Sequence, residues 1–155
     1  MKPIKQLDAK GLGEFDYDYK NDTLFFKIKD REYTQSIDFD DLVVDVDKEG
    51  FITGIQLFDA SLLFKLPKLD LKNINHFEFD TKIEKNIIIV NLLFRFIRRN
   101  KELVERGENI VRPLTSPLAD SEVLCSVSIW LDRLCQFPEE LKEVLIGPSY
   151  IFVVH

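Results

Sequence analysis

Histidine and cysteine are scarce in this chain of 155 residues, which contains two of each. The histidines, His76 and His155, lie far apart, and no serine stands in the GxSxG pattern that positions a nucleophile in many hydrolases. Cys125 and Cys135 form neither a CxxC pair nor a cluster with histidine at metal-ligand spacing. The sequence therefore predicts neither a disulfide framework nor a zinc site, and it offers few parts for nucleophilic catalysis.

Glycine-rich loops and long apolar segments are missing as well. The six glycines form neither GxGxxG nor GxxxxGK, so the phosphate-binding loops of nucleotide-binding folds are excluded. Apolar runs such as residues 87–90 and 92–94 are far too short to span a bilayer, and the first 15 residues lack the apolar core of a signal peptide. We therefore expect a cytoplasmic protein that uses no cofactor.

What the chain has in abundance is the two-residue alternation of half-buried β-strands. Over residues 15–61, short runs place apolar side chains on one face, and polar strings rich in Asp, Lys and Glu separate the runs. Such a pattern predicts an antiparallel meander with hairpin turns. The predicted faces are Leu24, Phe26 and Ile28, then Tyr33, Gln35, Ile37 and Phe39, and then Leu42, Val44 and Val46.

The same stretch, over residues 15–64, resembles the family known as domain of unknown function 2283. The resemblance is carried, in the family's order, by Tyr17-Asp18, the run Asp22 to Ile28, the acidic stretch Asp38 to Asp41, the turn Asp47 to Gly50, and the segment Gly54 to Ser61. Phe58 stands where the family commonly has a smaller aliphatic residue. The resemblance implies a compact antiparallel sheet in the prokaryotic cytoplasm with no established activity and, for some members, a toxin-like partner.

Beyond Pro67 the pattern predicts a second β-rich unit. Residues 75–83 alternate cleanly, Glu84-Lys85-Asn86 is typical of a turn, and residues 87–97 have an unbroken apolar face on their even positions. Polar residues at three-to-four spacing favour a helix there instead, which leaves an α+β alternative with helices at 87–106 and 121–135. Proline, early acids and a following glycine predict a short helix over residues 138–145.

These elements together predict a mainly β fold. We expect an antiparallel meander in residues 1–66 and a second antiparallel sheet in residues 67–155, with one or two short helices near the C-terminus, all in one compact unit. The apolar faces of residues 87–97 and the apolar run at 150–154 exceed what a small sheet can bury, which predicts a homo-oligomer.

Charge is distributed unevenly and opposes nonspecific nucleic-acid binding by the front half. Residues 1–66 hold 9 Lys and Arg against 14 Asp and Glu, within a net charge of −6 for the chain. One basic segment over residues 95–112 could contact nucleic acid or a partner protein. Its six basic residues are Arg95, Arg98, Arg99, Lys101, Arg106 and Arg112.

A calcium loop is the sharpest motif among the acidic residues. Asp45, Asp47 and Glu49, followed by Gly50, match the first positions of an EF-hand loop, but Gln56 stands where the loop needs a bidentate glutamate. A hairpin turn with Gly50 in a left-handed conformation explains the same residues. We favour the hairpin and predict no bound metal.

The sequence thus predicts a non-enzymatic interaction or structural module that self-associates. One alternative is a regulatory partner of a toxin-like nuclease or an RNA-associated protein that uses the basic segment. A second alternative is a hydrolase of unrecognised type.

Overall fold

Two five-stranded sheets account for most of residues 4–128, the part of the chain that this computed structural model describes. Strands β1 (Lys5–Ala9), β10 (Ser121–Ser128), β7 (Ile74–Glu84), β8 (Ile87–Ile97) and β9 (Leu103–Pro113) form sheet A in that order. Strands β2 (Gly13–Asp18), β3 (Thr23–Ile28), β6 (Ile52–Leu57), β5 (Leu42–Val46) and β4 (Gln35–Asp38) form sheet B. The pairing is antiparallel throughout, except that β1 runs parallel to β10.

Sheet B contains the predicted strands, and its burial follows the predicted alternation, but the sequential order of a meander is wrong, because β6 pairs with β3 and lies between β3 and β5. Leu24, Phe26 and Ile28 on β3 are all buried. The same is true of Leu42, Val44 and Val46 on β5. On the shortest strand, β4, only Ile37 is half-buried, because this strand lies at the edge of the sheet. The mainly β, antiparallel fold class is confirmed.

Sheet A settles the ambiguity between strand and helix over residues 87–97 in favour of the strand. All even positions of β8, from Ile88 to Phe96, are buried. Lys85 and Asn86 both have left-handed backbone conformations, with φ of 50° and 64°, which suits a tight two-residue turn between β7 and β8. The helices at 87–106 and 121–135 are therefore wrong where the structure describes them, because a helix would expose half of that apolar face; residues 129–135 lie outside the described residues.

Two short helices occur in the middle of the chain, not where the sequence placed them. They are α1 (Ala60–Phe64) and α2 (Lys68–Lys72), and Pro67 separates them. A five-residue helix is too short for the 3.6-residue periodicity to reveal, so tertiary contacts decide its position. The predicted helix over 138–145 and the apolar run at 150–154 lie outside the described residues. Among those described, no helix is both long and apolar enough to cross a membrane.

Aromatic side chains join the two sheets into one core. The ring of Phe77 on β7 lies 4.4 Å from that of Phe26 on β3 and 5.3 Å from that of Phe15 on β2, measured between centroids. Phe64 of α1 packs on Phe94 of β8 at 4.9 Å. The core therefore lies between the inner faces of the sheets, and α1 covers part of sheet A.

Gly13 marks the point where the chain passes from sheet A to sheet B. A Cβ atom built there would lie 2.9 Å from the carbonyl oxygen of Ser126, 3.0 Å from Sγ of Cys125 and 3.1 Å from a ring carbon of Phe77. No side chain fits in that space without displacing backbone of β10. The close approach of the two sheets at this corner therefore requires glycine.

Candidate interaction surface

Residues that carry the family resemblance converge on the carboxylate of Asp22. The Tyr17 hydroxyl donates to Oδ1 at 2.6 Å, and the Ser61 hydroxyl donates to Oδ2 at 2.6 Å. The backbone N–H of Ser61 also donates to this carboxylate, at 3.1 Å. Asp22 has a left-handed φ of 54° and is 7% exposed. Its hydrogen bonds with Ser61 link the β2–β3 turn to the beginning of α1.

The electrostatics of this cluster favour a fixed structural contact. Burial raises the pKa of the Asp22 carboxyl, but the hydrogen bonds from Ser61 and Tyr17 outweigh it and hold the pKa below its usual range. Burial, followed by the bond to Asp22, raises the pKa of Tyr17, so its hydroxyl remains a donor. The described histidine, His76, pairs instead with Glu78 in sheet A, at 3.2 Å. Within residues 4–128, Ser61 therefore has no imidazole beside it to accept its proton.

The residues of the predicted calcium loop form the turn between β5 and β6. Gly50 has a φ of 88°, the left-handed conformation that the hairpin interpretation requires. Asp47 pairs with Arg31 and accepts a hydrogen bond from the backbone N–H of Glu49 at 2.9 Å, while Asp45 accepts one from a serine on β4. Within residues 4–128, no three His, Cys, Asp or Glu side chains are placed to share a metal ion. Calcium binding here stays untested.

Two basic residues of the segment 95–112 lie on opposite faces of sheet A. Arg95 lies on the outer face of β8 and pairs with Glu105 of β9, with Nε 2.8 Å from the carboxylate. Arg106 lies on the inner face of β9, where its guanidinium donates to the carbonyl oxygen of Phe64 at 2.6 Å. The alternation of the strand thus separates side chains that the sequence groups together.

The other basic residues are distributed over the ends of β8 and β9. Arg112 pairs with Asp41 in the turn between β4 and β5, and Arg98 lies 3.3 Å from Asp70 of α2. Arg99 and Lys101 lie in the turn between β8 and β9. The structure therefore brings these residues to several places, and contact with nucleic acid or a partner through them stays a prediction.

The outer face of β8 and β9 alternates apolar and polar cross-strand pairs. Val111 and Ile87 are 48% and 40% exposed on this face. The two residues of each polar pair are hydrogen-bonded to each other: Asn109 donates to Asn91, and Arg95 donates to Glu105. We call this face the β8–β9 surface. Its pairs are Ile87 with Pro113, Ile89 with Val111, Asn91 with Asn109, Leu93 with Gly107, Arg95 with Glu105 and Ile97 with Leu103.

An acidic cavity of about 410 Å³ occupies the outer side of β10, β7 and β8. Glu78 and Asp80 contribute carboxylates to it, against the ammonium group of Lys10. Oδ1 of Asp80 is buried and accepts no hydrogen bond from any described residue. The free oxygen of Asp80 can accept a hydrogen bond from a donor group that enters the cavity. Asn91 and Leu93 also line the cavity, so it adjoins the β8–β9 surface.

Strand β9 is by far the longest free edge in the described part of the fold. It has 11 residues, while the other edge strands β1, β2 and β4 have 5, 6 and 4. Natural edge strands are protected by short length, charged side chains, proline, bulges or a covering element. β9 carries charges at Glu105, Arg106, Glu108 and Arg112, but it has no lysine, has proline only at its last position, and pairs with β8 without a register shift. Within residues 4–128 no strand pairs with the other side of residues 103–113, the β9 edge, which is therefore available there to a strand of matching charge.

β9 is not predicted from the sequence, because the charges of residues 95–112 mark this stretch as a basic segment and not as a strand. The turn between β8 and β9 occupies only the residues between Ile97 and Leu103. The available signal was the alternation of Val104, Arg106, Glu108 and Ile110, which places half-buried or buried residues on the inner face. The charged side chains of Arg106 and Glu108 in the middle of the inner row obscure it.

Comparison with known proteins identifies relatives of this chain. The sequence model of the family described as protein of unknown function (DUF2283) matches residues 14–61. An uncharacterized protein of Methanocaldococcus jannaschii is 37% identical over 113 residues, which cover 72% of this chain and 96% of that protein. A protein of Methanosarcina mazei named putative hypoxanthine phosphoribosyltransferase is 36% identical over 94 residues, covering 61% of this chain and 76% of the relative. No solved structure matches.

Proposed function

Because this chain belongs to the DUF2283 family of proteins of unknown function, we propose a role for it from its surface. The proposed role is a non-enzymatic interaction or structural module that associates with copies of itself. The observation that carries this proposal is the long β9 edge, with which no strand of residues 4–128 pairs, beside the partly apolar β8–β9 surface. An open edge of this length is a template for strand pairing, and exposed apolar side chains beside it add area to bury.

The chemistry of the described side chains supports a non-enzymatic role. Burial raises the pKa of the Cys125 thiol to about 12, which leaves almost no thiolate at neutral pH. The hydroxyl of Ser61 is engaged with Asp22, and both oxygens of Asp47 are engaged with Arg31 and backbone N–H groups. These groups form structural contacts, and contacts of this kind fix turns and strand ends.

The name of the Methanosarcina mazei relative suggests an activity that this surface does not favour. A phosphoribosyltransferase acts on a phosphorylated ribose, and phosphate is recognised by cationic side chains and free N–H groups. The cavity on sheet A has Glu78 and Asp80 against Lys10 alone. We therefore do not extend that name to this chain. The basic segment is likewise the weaker candidate, because Arg95, Arg98 and Arg112 already pair with acids.

Light scattering over a range of concentrations tests the proposal. We expect the full chain to have a mass near a multiple of 18.2 kDa. Val111→Lys on the β8–β9 surface should lower that mass, because the partner would have to bury an ammonium group. Tyr33→Lys is the matched control, since Tyr33 is 61% exposed but precedes β4 in sheet B. A monomer at high micromolar concentration would contradict self-association.

A further inference from the structure

We infer that the β9 edge pairs antiparallel with the β9 edge of a second copy, with Gly107 opposite Gly107, so that the two copies of sheet A join into one continuous sheet. This inference rests on the proposed self-association and specifies its surface and register. The partner is a second copy because the β9 edge is complementary to itself. The length of the edge makes it a strand template, and the register follows from its sequence.

Symmetry restricts the registers that two β9 edges can adopt. The two-fold axis of such a dimer is perpendicular to the sheet, so each residue keeps its face when the strand is rotated onto its partner. A residue on the inner face can therefore oppose only another inner-face residue. Only registers centred on a single residue satisfy this requirement, and each centre defines a different set of cross-strand pairs.

The register centred on Gly107 matches every pair by charge or by polarity. On the inner face Arg106 opposes Glu108, which places opposite charges next to each other twice in the dimer. On the outer face Glu105 opposes the amide of Asn109. Toward both ends the pairs are apolar, namely Val104 with Ile110 and Leu103 with Val111.

Neighbouring registers place like charges together. Centring on Glu108 brings two Glu108 carboxylates face to face, and centring on Arg106 does the same with two guanidinium groups. Centring on Asn109 places Arg106 opposite Arg112, and centring on Glu105 pairs Glu105 with itself. Like charges directly opposite each other destabilise a strand pair, so the edge favours the Gly107 register over these four.

Gly107, at the centre of this register, leaves room for a side chain. A Cβ atom built at Gly107 would meet nothing nearer than the carbonyl oxygen of Leu92, at 3.6 Å. Gly107 lies on the outer face of the sheet, so an added side chain would point away from the backbone of the second copy. The centre of the register can therefore be substituted without disturbing the strand pairing.

Arg106 can pair with Glu108 of the second copy while it keeps its hydrogen bond inside its own chain. Its guanidinium donates one hydrogen bond to the carbonyl oxygen of Phe64, at 2.6 Å. A guanidinium has five N–H donors, so others remain for the partner's carboxylate. This contact also fixes the side chain, so that less conformational freedom is lost when Glu108 of the second copy arrives.

Cysteine cross-linking in the full chain tests the register. Gly107→Cys places two thiols directly opposite each other, where cross-strand Cβ atoms lie about 4.5–5.5 Å apart, and mild oxidation should give a covalent dimer. Asn109→Cys is the matched control, because its two copies would lie four residues apart, about 14 Å. A mixture of Glu105→Cys and Asn109→Cys should cross-link again. The unaltered chain, with Cys125 and Cys135, gives the background.

Charge variants give a second, independent measurement. Glu108→Arg places arginines opposite Arg106 on both sides of the axis and should lower the mass seen by light scattering, with the fold checked by circular dichroism. Asn109→Arg instead faces Glu105 and should leave the mass unchanged. A dimer in which Gly107→Cys cross-links no faster than Asn109→Cys would overturn the register while self-association stands. A monomer would overturn both.

Discussion

Asp22 combines two properties that a surface aspartate rarely has. Its backbone is left-handed, a conformation that Asp and Asn tolerate better than most residues, and its carboxylate is nearly buried. Hydrogen bonds donated by Tyr17 and Ser61 compensate for the burial of the carboxylate. These two residues belong to separate parts of the family motif. This part of the family's sequence pattern therefore corresponds to a tertiary contact between the β2–β3 turn and α1.

We predict that Asp22→Asn lowers the free energy of unfolding by about 1–3 kcal/mol, because hydrogen bonds to a charged carboxylate are replaced and one donor faces an amide N–H. Asparagine retains the left-handed backbone, so the change isolates the charge. Urea unfolding followed by circular dichroism measures it. Asp16→Asn, at an exposed position of the neighbouring strand β2, is the control and should be neutral. Equal stabilities for the two variants would contradict the assignment.

The pH dependence of stability follows from the lowered pKa of Asp22. A carboxyl whose folded pKa lies below its unfolded value stabilises the fold fully above the unfolded value, near 4, and this contribution is lost as the pH falls through the folded pKa. The difference in stability between the unaltered chain and Asp22→Asn should thus be constant from pH 7 to 5 and shrink below about pH 4. Unfolding curves at several pH values measure it.

Among the secondary-structure elements, the sequence predicted the strands that have one fully buried apolar face. Strands β5 and β8 alternate along their whole length, and β3 and β7 alternate from Leu24 and Phe77 onward, because their inner residues meet the opposite sheet. The edge strand β9 was missed, since its inner face includes Arg106 and Glu108 at half-buried positions. Helices α1 and α2 were missed because contacts from distant residues such as Asp22 determine them. Periodicity in the sequence indicates strands and helices with one buried apolar face, and β9, α1 and α2 have no such face that is long enough to detect.

The corner at Gly13 gives a prediction about the junction of the sheets. Gly13→Ala should destabilise the fold by about 1–3 kcal/mol, because its methyl group would overlap the carbonyl oxygen of Ser126 and the ring of Phe77. Thermal unfolding measures the loss. Gly107→Ala is the control, because its new methyl group meets only ordinary contact distances. A larger loss at Gly107 than at Gly13 would contradict the description of this corner.

At the scale of the whole molecule, charge opposes binding to nucleic acid. The chain has a net charge of −6, and the basic residues of the segment 95–112 lie on two faces of sheet A and in a turn. Several of them already have acidic partners. Phosphate affinity comes from cations that release counterions, so the paired arginines contribute little to it.

We therefore predict that single-stranded RNA binds no tighter than about 10 μM at physiological salt, the range of nonspecific contacts. Fluorescence anisotropy with labelled RNA at several salt concentrations measures the affinity. Submicromolar binding that disappears in Arg98→Glu/Arg99→Glu, with circular dichroism unchanged, would contradict this prediction and would favour the RNA-associated alternative.

The parallel pairing of β1 with β10 has a consequence for the order of folding. Lys5 lies opposite Ser121, so the first strand has its partner only when nearly all of the described chain has left the ribosome. Sheet B is built from residues 13–57 alone, so all its strand pairs are closer in sequence than Lys5 and Ser121, and shorter loops close faster. We expect sheet B to assemble early during synthesis, and β1 to dock on β10 after it.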